Sequence, residues 1–492
     1  MQYLSEDGME KTQIDFDVVV VGAGLSGIGA GYHLQHSCPD KSFTIIEGRD
    51  AIGGTWDLFK YPGIRSDSDM YTFGFPFHPW KNPKAIADGP AIMAYLNDTV
   101  ETFGLRKHIQ FGKRVVASNW SSSDKKWTLT ISDSKSGQSR TITCNFLFMC
   151  SGYYDYRAGF EPDFPNAEAF EGIKIHPQHW DTSLDYSNKK IVIIGSGATA
   201  VTLLPILAET AKEVTMLQRS PTYIASRPSE DKIANTLKKV LPKQLAHTLS
   251  RWKNILFQLG TYNFSRSRPK LVRNFLLEQV EKSLKDKYNE KDWTPNYNPW
   301  DQRICAVPDG DLFKSIRAGK SKIVTNTIKS FVKDGIELTS GEKLEADIII
   351  TATGLKVQLF GGMKLTVDEK PLDFSQSPAF KGVMLSDIPN FAFAVGYTNA
   401  SWTLKSDLNC VYVTKVLNHM TAKNLSVCTP KFDHKNMQKE ELLDFDAGYI
   451  LRAKHLLPKQ GAKAPWKVHQ NYIKDLFALK YSSVKDKDLE FV

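Results

Sequence analysis

Twice along the chain a short apolar strand runs straight into a glycine-rich turn. Val18–Val21 precede Gly22, Gly24 and Gly27, and Lys190–Ile194 precede Gly195, Gly197 and Ala200. The glycines allow the tight turn, the approach of backbone to a pyrophosphate and close packing of helix on strand, while the helix start offers oriented N–H groups to phosphate. Ala200 stands in the third position, which needs only a small residue. After the first turn, the strand "FTIIE" delivers Glu47 twenty positions beyond Gly27, where a carboxylate can hold both ribose hydroxyls. The second unit, 173 residues on, ends its corresponding strand "EVTMLQRS" in Gln218 and Arg219. A carboxylate there would repel a 2′-phosphate, whereas a guanidinium grips it in a charge-assisted fork. The first unit is therefore predicted to take a nucleotide with free ribose hydroxyls. The second is predicted to take NADP(H) rather than NAD(H), through Arg219 with Ser220 and Thr199 nearby.

Two further apolar strands, "NFLFMCSGYY" and "ADIIITATGL", end in a small residue and a glycine, Gly152 and Gly354. They read as the exit from the first unit and the return to it. The expected fold is α/β, with two Rossmann-like dinucleotide-binding domains, the second inserted in the first, and a helical insertion inside the second. The expected boundaries are 1–155 and 385–492 for the first domain, 156–189 for a linker, 190–222 and 303–384 for the second domain, and 223–302 for the helices.

The net charge of +9 is concentrated: Asp231 to Glu290 holds thirteen Lys and Arg against five Asp and Glu. Apolar residues recur there at helical spacing, as in Leu245, Leu249, Trp252 and Leu256, predicting a helical insertion whose basic residues face water. The alternative is a weak contact with a membrane surface or anionic lipid; no nucleic-acid partner is expected. The six cysteines are scattered without a C-x-x-C, so free thiols are expected rather than a disulfide, a redox pair or a metal site. The polar start "MQYLSEDGMEKTQ" has no secretory apolar core, and no apolar run reaches the ~18 residues of a spanning helix, which points to a cytoplasmic protein.

The segment "FEGIKIHPQHWD" resembles the fingerprint F-x-G-x-x-x-H-x-x-x-W-[P/D] of type I Baeyer–Villiger monooxygenases, matched at Phe170, Gly172, His176, Trp180 and Asp181. "GGTWDLFKYPGIRSD", Gly53 to Asp67, resembles a second pattern of that family. Trp180 favours the Baeyer–Villiger branch over the flavin monooxygenases that oxygenate only nitrogen and sulfur. "NYNPWDQR" and "VGYTNASWTLKSDL" are similar to the subgroup typified by the ethionamide-activating monooxygenase. The resemblance implies FAD in the first fold, NADPH in the second and O2 as co-substrate. It implies oxygen insertion into ketones and oxygenation of thioether or thioamide sulfur through a C4a-peroxyflavin. It assigns Gly54, Thr55 and Trp56 to the cofactor, with Tyr61 near the isoalloxazine. It makes the fingerprint residues and Gly354 hinge and packing groups rather than bond-making ones. By the same resemblance Arg303 is the always-charged donor of the active site, and Asp67 is the acid that pairs with it, orients it and tunes the neighbouring cofactor. Gln302 stands where many members carry Lys, leaving NADPH preference to Arg219. Trp402 is expected as a pocket wall, and Pro458–Trp466 as a loop that closes over the site. A flavin disulfide reductase would need the missing C-x-x-C, and a non-catalytic nucleotide sensor would not need Arg303 with Asp67.

Overall fold

A computed structural model describes residues 14–443 and 447–492; the polar stretch 1–13 lies outside them. β1 (Phe16–Val21) has no exposure at Val18, Val19 and Val20, as its β-branched residues require of a strand covered on both faces. At Gly22 φ is +104°, and a Cβ there would stand 2.7 Å from the Cys150 carbonyl oxygen. The chain then enters α1 (Leu25–Ser37), where a Cβ on Gly27 would stand 1.8 Å from the Gly22 carbonyl oxygen. Sterics alone demand glycine at both positions. β2 (Phe43–Ile46) pairs in parallel with β1. Three helices follow, α2 (Thr55–Leu58), α3 (Met70–Phe73) and α4 (Gly89–Thr102), before β3 (Ile109–Gln110) pairs with β2. β4 (Lys113–Ser121), β5 (Lys126–Asp133) and β6 (Ser139–Met149) extend the sheet on the other side. β6 pairs antiparallel with β5 through its first half and parallel with β1 through its second.

The chain leaves this sheet through β7 (Tyr154–Gly159). β8 (Ile173–Ile175), β9 (Lys190–Ile194), α5 (Ala198–Leu207) and β10 (Glu213–Gln218) begin a second sheet. The helical insertion is bracketed by β11 (Ile224–Arg227) and, after α6 (Lys232–Val240), α7 (Lys243–Ser267), α8 (Pro269–Leu284) and α9 (Glu290–Trp293), by β12 (Cys305–Pro308), which pairs in parallel with β11. α10 (Asp311–Arg317), β13 (Ser321–Thr325) and an antiparallel trio β14 (Ile328–Val332), β15 (Gly335–Leu338) and β16 (Lys343–Glu345) lead to β17 (Ile348–Thr351). The second sheet is all parallel in the order β13-β10-β9-β17-β8. The return strand β18 (Leu355–Val357) lies antiparallel to β7, so the outward and homeward crossings form one ribbon. α11 (Trp402–Ala422) then packs on α1. The architecture is the one expected: two dinucleotide-binding sheets, one inserted in the other, with a helical insertion.

Several details differ from expectation. The chain is back in the first sheet before residue 385: β19 (Lys364–Val367) pairs with β4 and β20 (Lys370–Pro371) pairs with β19. A strand this short carries no sign of which sheet it will join. The expected linker 156–189 is not free chain, since β7 forms the ribbon and β8 is the edge strand of the second sheet. Residues 458–466 do not cover a site. Lys459–Gly461 pairs with Lys439–Glu441, and Trp466 is fully buried, its indole N–H donating to Asp488 Oδ2 at 2.9 Å.

The apolar stripe of α7 faces outward. Its buried residues are Ala246, His247, Ser250, Arg251, Ile255 and Ser265, whereas Leu245, Leu249, Trp252 and Leu256 are exposed. The reason is Arg251, whose Nη1 donates to the carbonyls of Tyr71 at 2.8 Å, Thr72 at 3.3 Å and Gly74 at 2.7 Å. These are last-turn carbonyls of α3, unsatisfied within their own helix. A buried guanidinium with its acceptors outweighs the apolar face, because leaving it unpartnered costs more than exposing leucines.

Gly159, at the end of β7, leaves room for the His176 ring: a Cβ there would stand 2.0 Å from His176 Cε1. Gly159→Ala is expected to destabilise the fold by about 1–3 kcal/mol through overpacking, read as a lower urea midpoint. An unchanged midpoint would show that the ribbon and the ring move apart freely.

Candidate active site

A cavity of about 1430 Å³ runs from the first glycine turn to the helical insertion. Its floor is built by two glycine loops pressed together. The Gly53 N–H donates to the Ala23 carbonyl at 3.0 Å, and a Cβ on Gly24 would meet Gly54 Cα at 3.6 Å. Gly54 itself has φ +56°, which turns the backbone into α2, where Thr55 Oγ1 lies 3.2 Å from the Tyr156 hydroxyl. The Ala23 N–H donates to Glu47 Oε2 at 2.7 Å and the Arg49 N–H to Oε1 at 2.8 Å. Glu47 therefore staples the turn to the end of β2 while lining the cavity, and burial raises its pKa against these two bonds. Each carboxylate oxygen retains a lone pair for a further donor. Trp56 lines the same cavity, edge-on to Phe73 at 5.5 Å.

Farther in, Asp67 and Arg303 both line the cavity. Arg303 is positioned by the approach to β12, two residues before that strand begins. Burial raises the Asp67 pKa, opposed by the guanidinium groups of Arg303, Arg65 and Arg227. No direct Asp67–Arg303 ion pair forms among the described residues, so the expected pairing is corrected to an interaction through space. The reason is that Asp67 sits among three cations, and Arg65 is held instead by an ion pair to Asp311. Burial also works against the Arg303 charge, which Asp67 favours, and the guanidinium lies beside Tyr449, Tyr153 and Tyr154. The Tyr153 and Tyr154 hydroxyls lie 2.8 Å apart, and burial pushes all three phenols well above their usual range, so they stay protonated. Trp402 stacks on Tyr153 at 5.2 Å and anchors its indole N–H to Ser26 Oγ at 2.9 Å, forming a wall of the cavity.

The second glycine turn stands apart from this cavity. Gly195 has φ +133°, and a Cβ there would lie 2.4 Å from the Ala352 carbonyl oxygen, while Gly197 opens on free space at the start of α5 and Ala200 is buried. Ser196 Oγ donates to the Ser220 carbonyl at 3.0 Å. Gln218 is committed to the fold, its amide donating to the Asp292 carbonyl and Thr325 Oγ1, both at 2.8 Å. Arg219, the next residue, is exposed beyond the strand end. Tyr61 bonds Thr199 and packs on the second sheet's core while lying within electrostatic reach of Asp67 and Arg65, so it bridges the two domains at the edge of the cavity.

The fingerprint residues act locally. Phe170 is buried, and Gly172 lets the chain pass the Phe170 ring and the Asp347 carbonyl, which a Cβ would approach to 2.4 and 2.5 Å. His176 Nδ1 accepts from the Gln178 N–H at 3.1 Å, which leaves Nε2–H to donate to the Gly354 carbonyl at 3.1 Å. Burial lowers its pKa, and the ring clamps the outgoing chain to the return at Gly354. Trp180 packs on the second sheet's core, edge-on to Tyr186, and Asp181 closes a turn by accepting from the N–H and hydroxyl of Ser183. Residues not singled out beforehand are Arg65, Arg227 and Tyr449. Arg65 was visible inside the "YPGIRSD" motif, whereas Arg227 and Tyr449 carry no local signal.

The donor set fits two dinucleotides and a reacting group. The first turn is a cradle that a Cβ would fill, Gly197 leaves the second helix start open, and Arg303 Nε is buried with no protein acceptor. The flavin-binding monooxygenase-like family model matches residues 16–361. The chain is 51% identical over 477 residues to the probable FAD-binding monooxygenase AlmA of Acinetobacter baylyi, covering 96% of each. It is 50% identical over 478 residues to the FAD-containing monooxygenase EthA of Mycolicibacterium smegmatis, covering 97% of each. Among solved structures, OTEMO in complex with FAD and NADP is similar with a TM-score of 0.75 at 20% identity, over 98% of this chain and all of that one. Cyclohexanone monooxygenase from Rhodococcus sp. Phi1 bound to NADP+ gives a TM-score of 0.69 at 18% identity, over 85% and 86% of the two chains. At these identities the structural likeness is one of fold.

Because the folded-state pKa of Asp67 lies above its unfolded value, its contribution to stability is full below the unfolded pKa and lost as pH rises through the folded one. Asp67→Asn removes that loss, so the melting temperature of the variant relative to the parent should increase between pH 4 and pH 7. A relative melting temperature that falls over this interval would show the three guanidinium groups to dominate.

Proposed function

The chain belongs to the flavin-binding monooxygenase-like family, and from that premise we propose that it is an NADPH- and O2-dependent monooxygenase that converts ketones to esters or lactones. The balance is one ketone, one O2, one NADPH and one proton giving ester, water and NADP+. The observation that carries this reading is Arg303: a permanently charged group whose buried Nε has no partner, lining with Asp67 a cavity large enough for cofactor and substrate.

The first turn with Glu47, Gly54, Thr55 and Trp56 holds FAD, and the second turn with Thr199, Arg219 and Ser220 holds NADPH. Bound there, FAD would supply the hydride acceptor for the nicotinamide and the centre that activates O2. The protein's part is to hold both cofactors, exclude water and stabilise charge. Arg303 stabilises the negative charge that develops on the substrate oxygen, and it needs no proton transfer to do so. Asp67 steadies the guanidinium through space. The protonated phenols of Tyr153 and Tyr154, which line the cavity beside Arg303, also offer hydrogen-bond donors, which suits oxygenation of thioether or thioamide sulfur in the same site. His176, Trp180 and the β7–β18 ribbon serve as hinge and packing groups between the cofactor domains.

Mass spectrometry of products from linear ketones, cyclic ketones and thioethers with NADPH and air tests the reading. Gain of one oxygen by a ketone, as ester or lactone, is expected; turnover of none of them would overturn it. Arg303→Ala should keep FAD and still oxidise NADPH, while ester formation falls by about 100-fold or more. Arg219→Ala should raise the KM for NADPH by about 10–100-fold, as expected for a lost charge-assisted bond, and leave that for NADH unchanged. Equal use of NADH and NADPH by the parent would remove Arg219 from the site.

A further inference from the structure

The mouth of the cavity and the outward stripe of α7 form one apolar surface. Phe257, Phe264, Leu271 and Phe275 line the cavity and are at the same time 58, 49, 57 and 55% exposed. Beside them on α7, Leu245, Leu249, Trp252 and Leu256 are exposed without lining the cavity. The Trp252 ring meets Tyr472 edge-on at 6.0 Å, which carries the surface onto the C-terminal turn where Phe477 and Tyr481 are also exposed. An apolar surface of this extent marks a contact site. Its charge selects the occupant. From Lys232 to Leu277 there are ten Lys and Arg and not one Asp or Glu; Arg251 is buried and Lys253 and Arg266 pair with Asp231 and Asp301, which leaves seven without an ion pair among the described residues. Exposed Lys239 and Lys243 stand at the start of the stripe, and exposed Arg268 and Lys270 at the turn between α7 and α8. A second copy joined through this surface about a twofold axis would set this cationic segment against itself. Anionic lipid headgroups neutralise it, and Trp, Phe and Leu beside Lys and Arg are the composition of a helix lying in a membrane interface.

We propose that the α7–α8 hairpin docks on an anionic lipid bilayer, with the cavity mouth facing the acyl region, so that apolar substrate enters from the lipid. Docking is independent of the reaction proposed above; only the identity of the entering molecule as a ketone or thioether rests on it.

Flotation of the FAD-loaded full chain with vesicles tests the docking. The protein should float with vesicles of phosphatidylcholine containing about one third phosphatidylglycerol, and at least about tenfold less with phosphatidylcholine alone or in about 1 M salt. The triple variant Leu249→Ser, Trp252→Ser, Leu256→Ser should keep its FAD and lose flotation by at least about tenfold. The variant Lys239→Glu, Lys243→Glu, Lys270→Glu should lose the preference for phosphatidylglycerol. A parent that stays unbound with both vesicle types, or a triple serine variant that floats as well as the parent, overturns the proposal. So does a concentration-dependent dimer in sedimentation velocity that the serine variant abolishes, which would assign the surface to a second copy.

Discussion

The two nucleotide sheets are joined by a ribbon two strands wide. β7 and β18 carry the chain out of the first sheet and back, and they pair antiparallel. His176 adds a clamp, taking a proton donor from Gln178 on one ring nitrogen and giving one to the Gly354 carbonyl from the other. Gly159 supplies the space that the ring occupies. Other ties between the domains add to this junction: Arg65 pairs with Asp311, Tyr61 bonds Thr199, and Arg251 holds the carbonyls that end α3.

The cavity uses charge sparingly and in layers. Near the glycine turns the polar groups are backbone amides and a carboxylate already committed to two of them. Deeper, Asp67 lies among three guanidinium groups, Asp69 shares Arg227 with it, and three phenols stand beside Arg303. Trp56 and Trp402 line the cavity as well, and its mouth is made of exposed aromatic and aliphatic side chains. The same insertion that supplies the mouth also supplies the cationic outer face, so access to the site and contact with the surroundings are built from one helical hairpin.

The orientation of α7 shows how a polar contact can invert a helix. Its stripe of Leu245, Leu249, Trp252 and Leu256 has the spacing of a core-facing surface, yet the core side carries Arg251 and small or polar residues. Asp69 reinforces the choice: it caps α3 and accepts from Asn254 at 3.1 Å and Gln258 at 2.8 Å. Three side chains of α7 thus answer groups of α3 and its cap that would otherwise be buried without partners.

What the amino-acid order determined by itself is local. Gly22, Gly27 and Gly195 are demanded by contacts with the Cys150, Gly22 and Ala352 carbonyls, and strand, turn and helix start follow in each unit within about ten residues. The nested order of the two sheets was legible because glycine-terminated strands mark both crossings. Sequence pattern also placed Glu47 at the end of β2 and Asp67 and Arg303 on one cavity by their motifs. It did not place β8 in the second sheet, the early return at β19, Tyr61 between the domains, or Trp466 in the core. Those outcomes depend on which distant groups compete for the same space and the same hydrogen bonds. Arg303 and Asp67 lie 236 residues apart, and the tertiary structure brings them to one cavity and surrounds them with Arg65, Arg227 and Tyr449. Periodicity says that a helix has an apolar face; only the tertiary structure decides what covers it, because burial follows the costliest unsatisfied group rather than the most apolar side.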